Sequence, residues 1–238
     1  MEENNTENVI GNTGQNGKNS QKQIAGAIII AGVLIAGAVL LKGTSGGQPL
    51  KEVSTAKEIG LKIKPFEACV ASGKFSEKVQ ADIDDGIKAG VNGTPTSFIL
   101  KDGVVVGIIE GAQPSEKVWN QIVDVHNNDM DPLPAQLRPV TSADHMIGSP
   151  DAKIIIVEYS DLDCPFCKSF HSTMHEIING LENSDVPIEI AWVYRHYPIP
   201  QLHPGAFKKA EETECAWEQG GNDSFWKYTD RLFGITSR

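Results

Sequence analysis

Cys164 and Cys167 stand two residues apart in the stretch SDLDCPFCKSF (Ser160 to Phe170), directly after an apolar run. At the start of a helix such a pair can serve as a dithiol/disulfide couple. The first sulfur then lies beside backbone N–H groups that have no helical acceptor, at the positive end of the helix dipole. Both effects favour thiolate over thiol. The thiolate is the attacking species, and the two-residue spacing lets the second sulfur attack a mixed disulfide formed by the first. This assigns Cys164 as the exposed nucleophile and Cys167 as the resolving thiol. Pro165 suits the first helical turn because it has no N–H to lose there. Asp161 and Asp163, close by, would oppose thiolate formation at Cys164.

Two other readings use the same residues. Cys164, Cys167, His171 and His175 spell C-x2-C-x3-H-x3-H, a metal-like order. A helix rises about 6 Å in four residues, which sets His175 about 12 Å along the axis from Cys167. One tetrahedral ion with bonds of about 2 Å cannot span that. A Cys/Cys/His set with His171 stays within reach, but it would disable redox chemistry. Two inert buried cysteines form the other reading, and a Pro-Phe dipeptide at a strand-to-helix junction argues against it. Redox is the favoured chemistry, with no metal and no cofactor expected.

The flanking elements agree. KIIIVEY (Lys153 to Tyr159) predicts a buried strand before the pair. After it, the segment CPFCKSFHSTMHEIINGL has helical spacing, with Phe166, Phe170, Met174 and Ile177 facing inward. IEIAWVYRHY predicts another strand, and GAFKKAEETECAWEQG and DSFWKYTDRLFG predict helices. Trp217, Phe225 and Trp226 read as core, and His196 and His203 as surface or loop residues around YPIPQL. Earlier in the chain, LKEVSTAKEIGL, KPFEACVASGKF and SEKVQADIDDGIKAGV have helical patterns, with Ser76 as an N-cap. TSFILKDGVVVGIIEG predicts a hairpin, Thr96 to Leu100 and Val104 to Ile109, around a turn at Asp102-Gly103. PSEKVWNQIVDVH predicts a helix with Val118, Ile122 and Val125 as its inner stripe. NNDMDPLPAQLRP is a polar, Pro-rich connector. The two halves share no repeat.

At the N-terminus, residues 1–23 are rich in Asn, Gly and Gln and are expected to be disordered. The 18 apolar residues Ile24 to Leu41 follow without interruption. As a helix they would extend about 27 Å, close to the thickness of a bilayer core. The run is longer than the apolar region of a cleavable signal and lacks a small-residue cleavage site, so an uncleaved single-pass anchor is expected. Residues 42–49 form a Gly/Ser-rich tether. The formal charge of −10 falls wholly on residues 48–238, which disfavours nucleic acid and anionic lipid as partners of the soluble part. Four cysteines beyond a membrane span fit an oxidising compartment.

Together IIIVEYSDLDCPFCKSFH, GVNGTPTSFIL and FWKYTDRLFG resemble the DsbA-like thiol–disulfide oxidoreductases of bacterial extracytoplasmic space. The resemblance covers nearly all of residues 48–238. It implies an α/β, thioredoxin-like fold with a helical insertion over residues 50–238. The implied activity is formation, reduction or isomerisation of disulfides in exported proteins. By the same resemblance Pro95 is a cis-proline packed beside the couple, and Thr94, with Pro95, offers backbone groups to an extended substrate segment. Pro165 and Phe166 complete that surface. Glu158, six residues before Cys164, takes the place of a buried carboxylate that exchanges a proton with the resolving thiol; a solvent-facing acid at a strand end is its alternative. Cys69 and Cys215 would form a structural disulfide. Phe166 departs from relatives with His between the cysteines, which removes one stabiliser of the thiolate. Cysteine-containing exported proteins are the implied substrates, and a membrane redox partner, a quinone-linked reoxidant or an electron donor, would reset the couple. A non-catalytic peptide-binding module with the same fold is the rival reading.

The order of the halves is reversed relative to that family. Residues 50–127 correspond to its second half and residues 141–238, with CPFC, to its first, joined through residues 128–140. A circular permutation is the expectation, with Arg238 near Leu50 and Pro95 in contact with the cysteine pair. Pairing of halves between two swapped chains is the alternative.

Overall fold

The hydrophobic strands and helices assemble around one mixed sheet in the computed structural model, which describes residues 51–181 and 188–235. The leader, the apolar run, the tether, Leu50 and Arg238 lie outside the described residues. Three helices come first: α1 (Lys51–Glu58), α2 (Ile63–Ser72) and α3 (Ser76–Ala89). The hairpin β1 (Thr96–Lys101) and β2 (Val104–Glu110) leads into α4 (Ser115–Asn127). Then follow β3 (His145–Ile147), β4 (Ile154–Ser160), α5 (Pro165–Gly180), β5 (Ile190–His196) and α6 (Ala206–Phe233). Among the described residues no helix is long and apolar enough to cross a membrane.

The strand order is β2-β1-β4-β5-β3. β1 lies antiparallel between β2 and β4, and β4 and β5 run parallel. Alternation along the strands sorts side chains to two faces. Ile154, Ile156, Trp192 and Tyr194 join α4, α5 and α6 in one core, with Val118, Ile122, Phe170 and Met174. Ile155, Val157, Ala191 and Val193 face the other side with Phe98 and Tyr159. Leu133, Leu137 and Val140 of the connector pack against that second face, and the Leu133 amide donates to the Val105 carbonyl at 2.9 Å. The Pro-rich stretch is therefore a covering segment of the sheet, not merely a linker. Proline spacing and Arg138 made it read as polar, whereas its leucines alternate onto the apolar face.

A third cluster joins α1 and α2 to α6 through Ala56, Phe66, Cys69, Cys215 and Tyr228. Cys69 and Cys215 are disulfide-bonded, 146 residues apart in sequence. α6 is broken in its middle, where Gly220 and Gly221 leave helical geometry, Gly221 with φ 66°. That left-handed residue separates the two helical patterns read from the sequence. Ser76 does not cap α3: Phe75 holds the capping position, and the Ser76 hydroxyl donates to the Gly73 carbonyl at 2.7 Å.

Three side chains lie elsewhere than their sequence pattern suggested. Phe166 is 64% exposed, because the buried face of α5 runs through Cys167, Phe170, His171, Met174 and Ile177 and leaves Phe166 off it. Trp217 is partly exposed, on the outer side of α6. His196 is fully buried at the end of β5, where it meets Glu214 at 3.0 Å. A strand covered on both faces buries even its polar end residues.

Candidate active site

The register of the sheet brings the site together. Thr96 of β1 pairs with Tyr159 of β4, so the residues just before Thr96 run beside those just after Tyr159. On the first strand those residues are Thr94 and Pro95, joined by a cis peptide bond. On the second, Ser160 passes through a short loop to Cys164, the N-cap of α5, with Pro165 in the first turn. Cys164 Sγ lies 3.5 Å from the Thr94 carbonyl oxygen. Residues about 70 positions apart in sequence thus face one another across the top of the sheet.

Cys164 and Cys167 are both thiols and both buried; Cys164, expected to be exposed, is only 6% exposed, because the chain at Thr94 packs against its sulfur. The Cys164 thiol is held well below its ordinary pKa. Its largest stabiliser is a hydrogen bond from the Cys167 thiol; the backbone amides of Cys167 and Phe166 and the Thr94 side chain add to it, against the cost of burial. The Cys167 thiol is driven the opposite way, by burial, by its donation to Cys164 and by the nearby charge of Glu158. Its Sγ accepts from the Asp161 amide at 3.3 Å. One sulfur is thus stabilised as an anion while the other keeps its proton.

Glu158 sits in β4 with no exposure at all. Burial raises its pKa from 4.5 to about 7, with the Ser160 hydroxyl and the Trp192 indole offsetting this in part. Trp192 Nε1 donates to Glu158 Oε2 at 2.9 Å, and Oε1 has no hydrogen-bond partner among the described residues. A buried carboxyl with a pKa near neutrality can accept the proton that Cys167 must lose and return it later.

The two aspartates beside the pair are neutralised locally. Asp161 is buried and accepts from the Ile199 amide at 2.8 Å, the Asp163 amide at 2.8 Å and His203 Nδ1 at 3.0 Å. The bond to Asp161 raises the pKa of His203, and the negative charge at Cys164 adds to this. Asp163 pairs with Lys209. Neither carboxylate therefore stands as an unopposed negative charge at Cys164. Sequence reasoning missed Trp192, Asp161 in its positioning role and His203. The loop Pro198–Gly205 that carries His203 has no pattern tying it to the strand–helix junction.

Two large apolar side chains are exposed on the elements that frame the pair. Phe166 projects from the first turn of α5, and Leu202, 70% exposed, stands on the loop anchored to Asp161. A cleft of about 290 Å³ lies beside Thr94 and Pro95, bounded by Asn92, Gly93, Ile108 and Glu110. The metal-like order read along α5 is not assembled. His171 Nε2 bonds Asp230 Oδ1 at 2.7 Å, and the groups of side chains that converge like metal ligands among the described residues contain no cysteine.

Residues 140–237 match the family model described as thioredoxin. This supports thioredoxin-superfamily membership for that part of the chain and agrees with the mixed sheet. The Na(+)/H(+) antiporter NhaA 1 of Mycolicibacterium gilvum is 37% identical over 98 residues, which cover 41% of this chain and 15% of the antiporter. Its counterpart from Mycolicibacterium vanbaalenii is 28% identical over 220 residues, 88% of this chain and 31% of the antiporter. Disulfide bond formation protein D of Bacillus subtilis is 29% identical over 98 residues, 40% of this chain and 41% of that protein. The chain therefore spans less than a third of the length of either antiporter.

Proposed function

We propose that the domain is a DsbA-like protein thiol–disulfide oxidoreductase that works through a Cys164–Cys167 couple. One observation carries this reading: the stabilised Cys164 sulfur faces the Thr94 carbonyl, and the buried Glu158 carboxyl, close enough for its charge to act on the resolving thiol, has one oxygen without a partner among the described residues. The thioredoxin match and the likeness to disulfide bond formation protein D support oxidoreductase chemistry in general.

In the oxidising direction a substrate thiolate attacks Cys164 Sγ and breaks the Cys164–Cys167 bond. Cys167 leaves as a thiolate and takes a proton, for which Glu158, a buried carboxyl with a pKa of about 7, is the source. A second substrate thiolate then attacks the substrate sulfur of the mixed disulfide and releases the Cys164 thiolate. Two electrons pass from substrate to protein. The reverse sequence reduces a disulfide: Cys164 attacks, Glu158 accepts the proton of Cys167, and Cys167 closes the ring. Stabilising the Cys164 thiolate stabilises the dithiol form, which favours the oxidising direction. Thr94 and Pro95 hold an extended substrate segment at the cleft, with Phe166 as an apolar rim.

The same proposal sets the domain outside the cytoplasm on a single-pass anchor, residues 24–41, acting on cysteine-containing exported proteins and reset by a membrane redox partner. The Cys69–Cys215 disulfide supports an oxidising compartment. A permuted order of the family's halves is supported by the hairpin, early in the chain, pairing with β4 directly before the CPFC helix. Ion transport is not carried over from the antiporters. Equilibration with glutathione tests the core of the reading. A potential near about −120 mV is expected for an oxidant and near about −270 mV for a reductant. Cys167→Ser should trap a mixed disulfide through Cys164, and failure to do so with any unfolded dithiol substrate would overturn the assignment.

A further inference from the structure

His171 and His175 lie four residues apart on α5, which sets both imidazoles on one side of the helix. Asp230, from the second segment of α6, meets them there. The two Nε2 atoms are 3.2 Å apart, and they lie 2.7 and 2.9 Å from Asp230 Oδ1. A tetrahedral ion with bonds of about 2.0–2.1 Å holds its ligand atoms about 3.3 Å apart. The three separations fall short of that by about 0.1 to 0.6 Å, so a small outward shift of Asp230 would make the atoms a ligand triangle.

The surroundings differ from one side to the other. His171 is fully buried among Trp192, Trp226 and Phe233, whose rings approach to 4.9, 6.0 and 4.8 Å. The His175 side chain is 22% exposed, so the triangle has an apolar floor and a solvent-facing edge. That edge is the side from which an ion and a water as its fourth ligand would enter. A second converging trio, His145, His196 and Glu214, has no solvent-facing edge. All three are buried, and the Lys78 ammonium stands 3.0 Å from Glu214 Oε1, supplying the positive charge already.

We propose that His171, His175 and Asp230 bind one divalent first-row transition-metal ion, with Zn²⁺ the best match. Two imidazoles and a carboxylate select such ions over Mg²⁺ and Ca²⁺, which take oxygen donors. The site uses no cysteine, so it is compatible with an active couple one turn earlier on the helix. The His171 Nδ1 is buried without a hydrogen-bond partner among the described residues. A partner at that position strengthens binding by about 10–100-fold, so this site is weaker than a structural zinc centre.

The test uses the full chain with Cys164 and Cys167 oxidised to a disulfide, which removes thiolates as competing ligands. Titration with Co²⁺, followed by its visible absorption, and with Zn²⁺ in competition with a chromogenic chelator should each show one equivalent bound. His175→Ala and Asp230→Asn should weaken binding at least about tenfold, and His126→Ala should leave it unchanged. Asp230 is buried, so the wild-type chain supplies a second measurement: Zn²⁺ should shift the Nε2 resonances of His171 and His175 in long-range ¹H–¹⁵N spectra. No binding by the oxidised chain, binding indifferent to His175→Ala, or Nε2 resonances that do not move would each overturn the proposal.

Discussion

Replacing Glu158 by Gln should change the pH dependence of stability in a way that little else in the molecule would. The carboxyl is fully buried, and its pKa rises from 4.5 to about 7, chiefly through desolvation. In the unfolded chain it ionises above pH 4.5, while in the folded protein it keeps its proton until about pH 7. Stability is therefore lost as pH rises through that window and levels off above it. At about 1.4 kcal/mol per tenfold change in proton affinity, the loss is about 3 kcal/mol. The glutamine of the variant would not titrate. Its amide would still accept from Trp192, but its NH₂ would occupy the place of Oε1, which has no partner, at a pH-independent cost of about 1–3 kcal/mol. The variant should thus be the less stable protein at pH 4 and gain about 3 kcal/mol on the parent by pH 8. Urea unfolding across this range measures it, in a background where Cys164 and Cys167 are both replaced by Ser. Cys167, whose pKa is driven up partly by the charge of Glu158, keeps its proton across this range, so replacing it by another neutral group preserves the effect. A stability difference that is constant between pH 4 and pH 8, or that moves the other way, would refute the placement of this acid in a dry site.

Other expectations follow from the same geometry. Replacing Cys69 and Cys215 together by Ala should cost about 2–4 kcal/mol in denaturant unfolding while leaving disulfide exchange at Cys164 intact, because the bond lies in the separate α2–α6 cluster. Arg195 is fully buried between Asp85 at 2.7 Å and Asp144 at 2.9 Å; Arg138 also pairs with Asp144 at 3.3 Å, so Arg195→Met should cost about 3–5 kcal/mol chiefly by taking from Asp85 its ion-pair partner. In the reduced protein, iodoacetamide should modify Cys164 at a rate that holds constant from alkaline to mildly acidic pH and falls only as the thiolate is protonated. Cys167 should stay unmodified, and mass spectrometry of the labelled peptide decides both points.

Local pattern carried the parts of the fold that local physics controls. The period of Val118, Ile122 and Val125 marked the inner face of α4, and the Asp102-Gly103 turn marked the hairpin; all three apolar residues are buried as read. The CPFC stretch marked a strand-to-helix junction because Pro165 and the apolar run before it each restrict the backbone. The disulfide pairing came from resemblance, since nothing local joins Cys69 to Cys215. What stayed hidden depends on partners distant in sequence. His196 looked like a surface residue because its neighbours are Tyr197 and Pro198, but Glu214 reaches it from α6. β3 has three residues, too few for alternation to register. Trp192 read simply as a strand residue, yet its indole donor sets the environment of Glu158. Phe166 shows the converse failure: its spacing from Phe170 fits the helix period, but among the described residues it is left 64% exposed.

The bond between Cys69 and Cys215 also has a topological meaning. It closes a covalent ring that contains Pro95, the connector along the sheet, and both Cys164 and Cys167. A protease that cuts once inside this ring, for instance near Gln136, opens it without parting the pieces. The nicked protein would migrate as one species on a non-reducing gel and as two after reduction. Both walls of the candidate site would stay on a single molecule throughout.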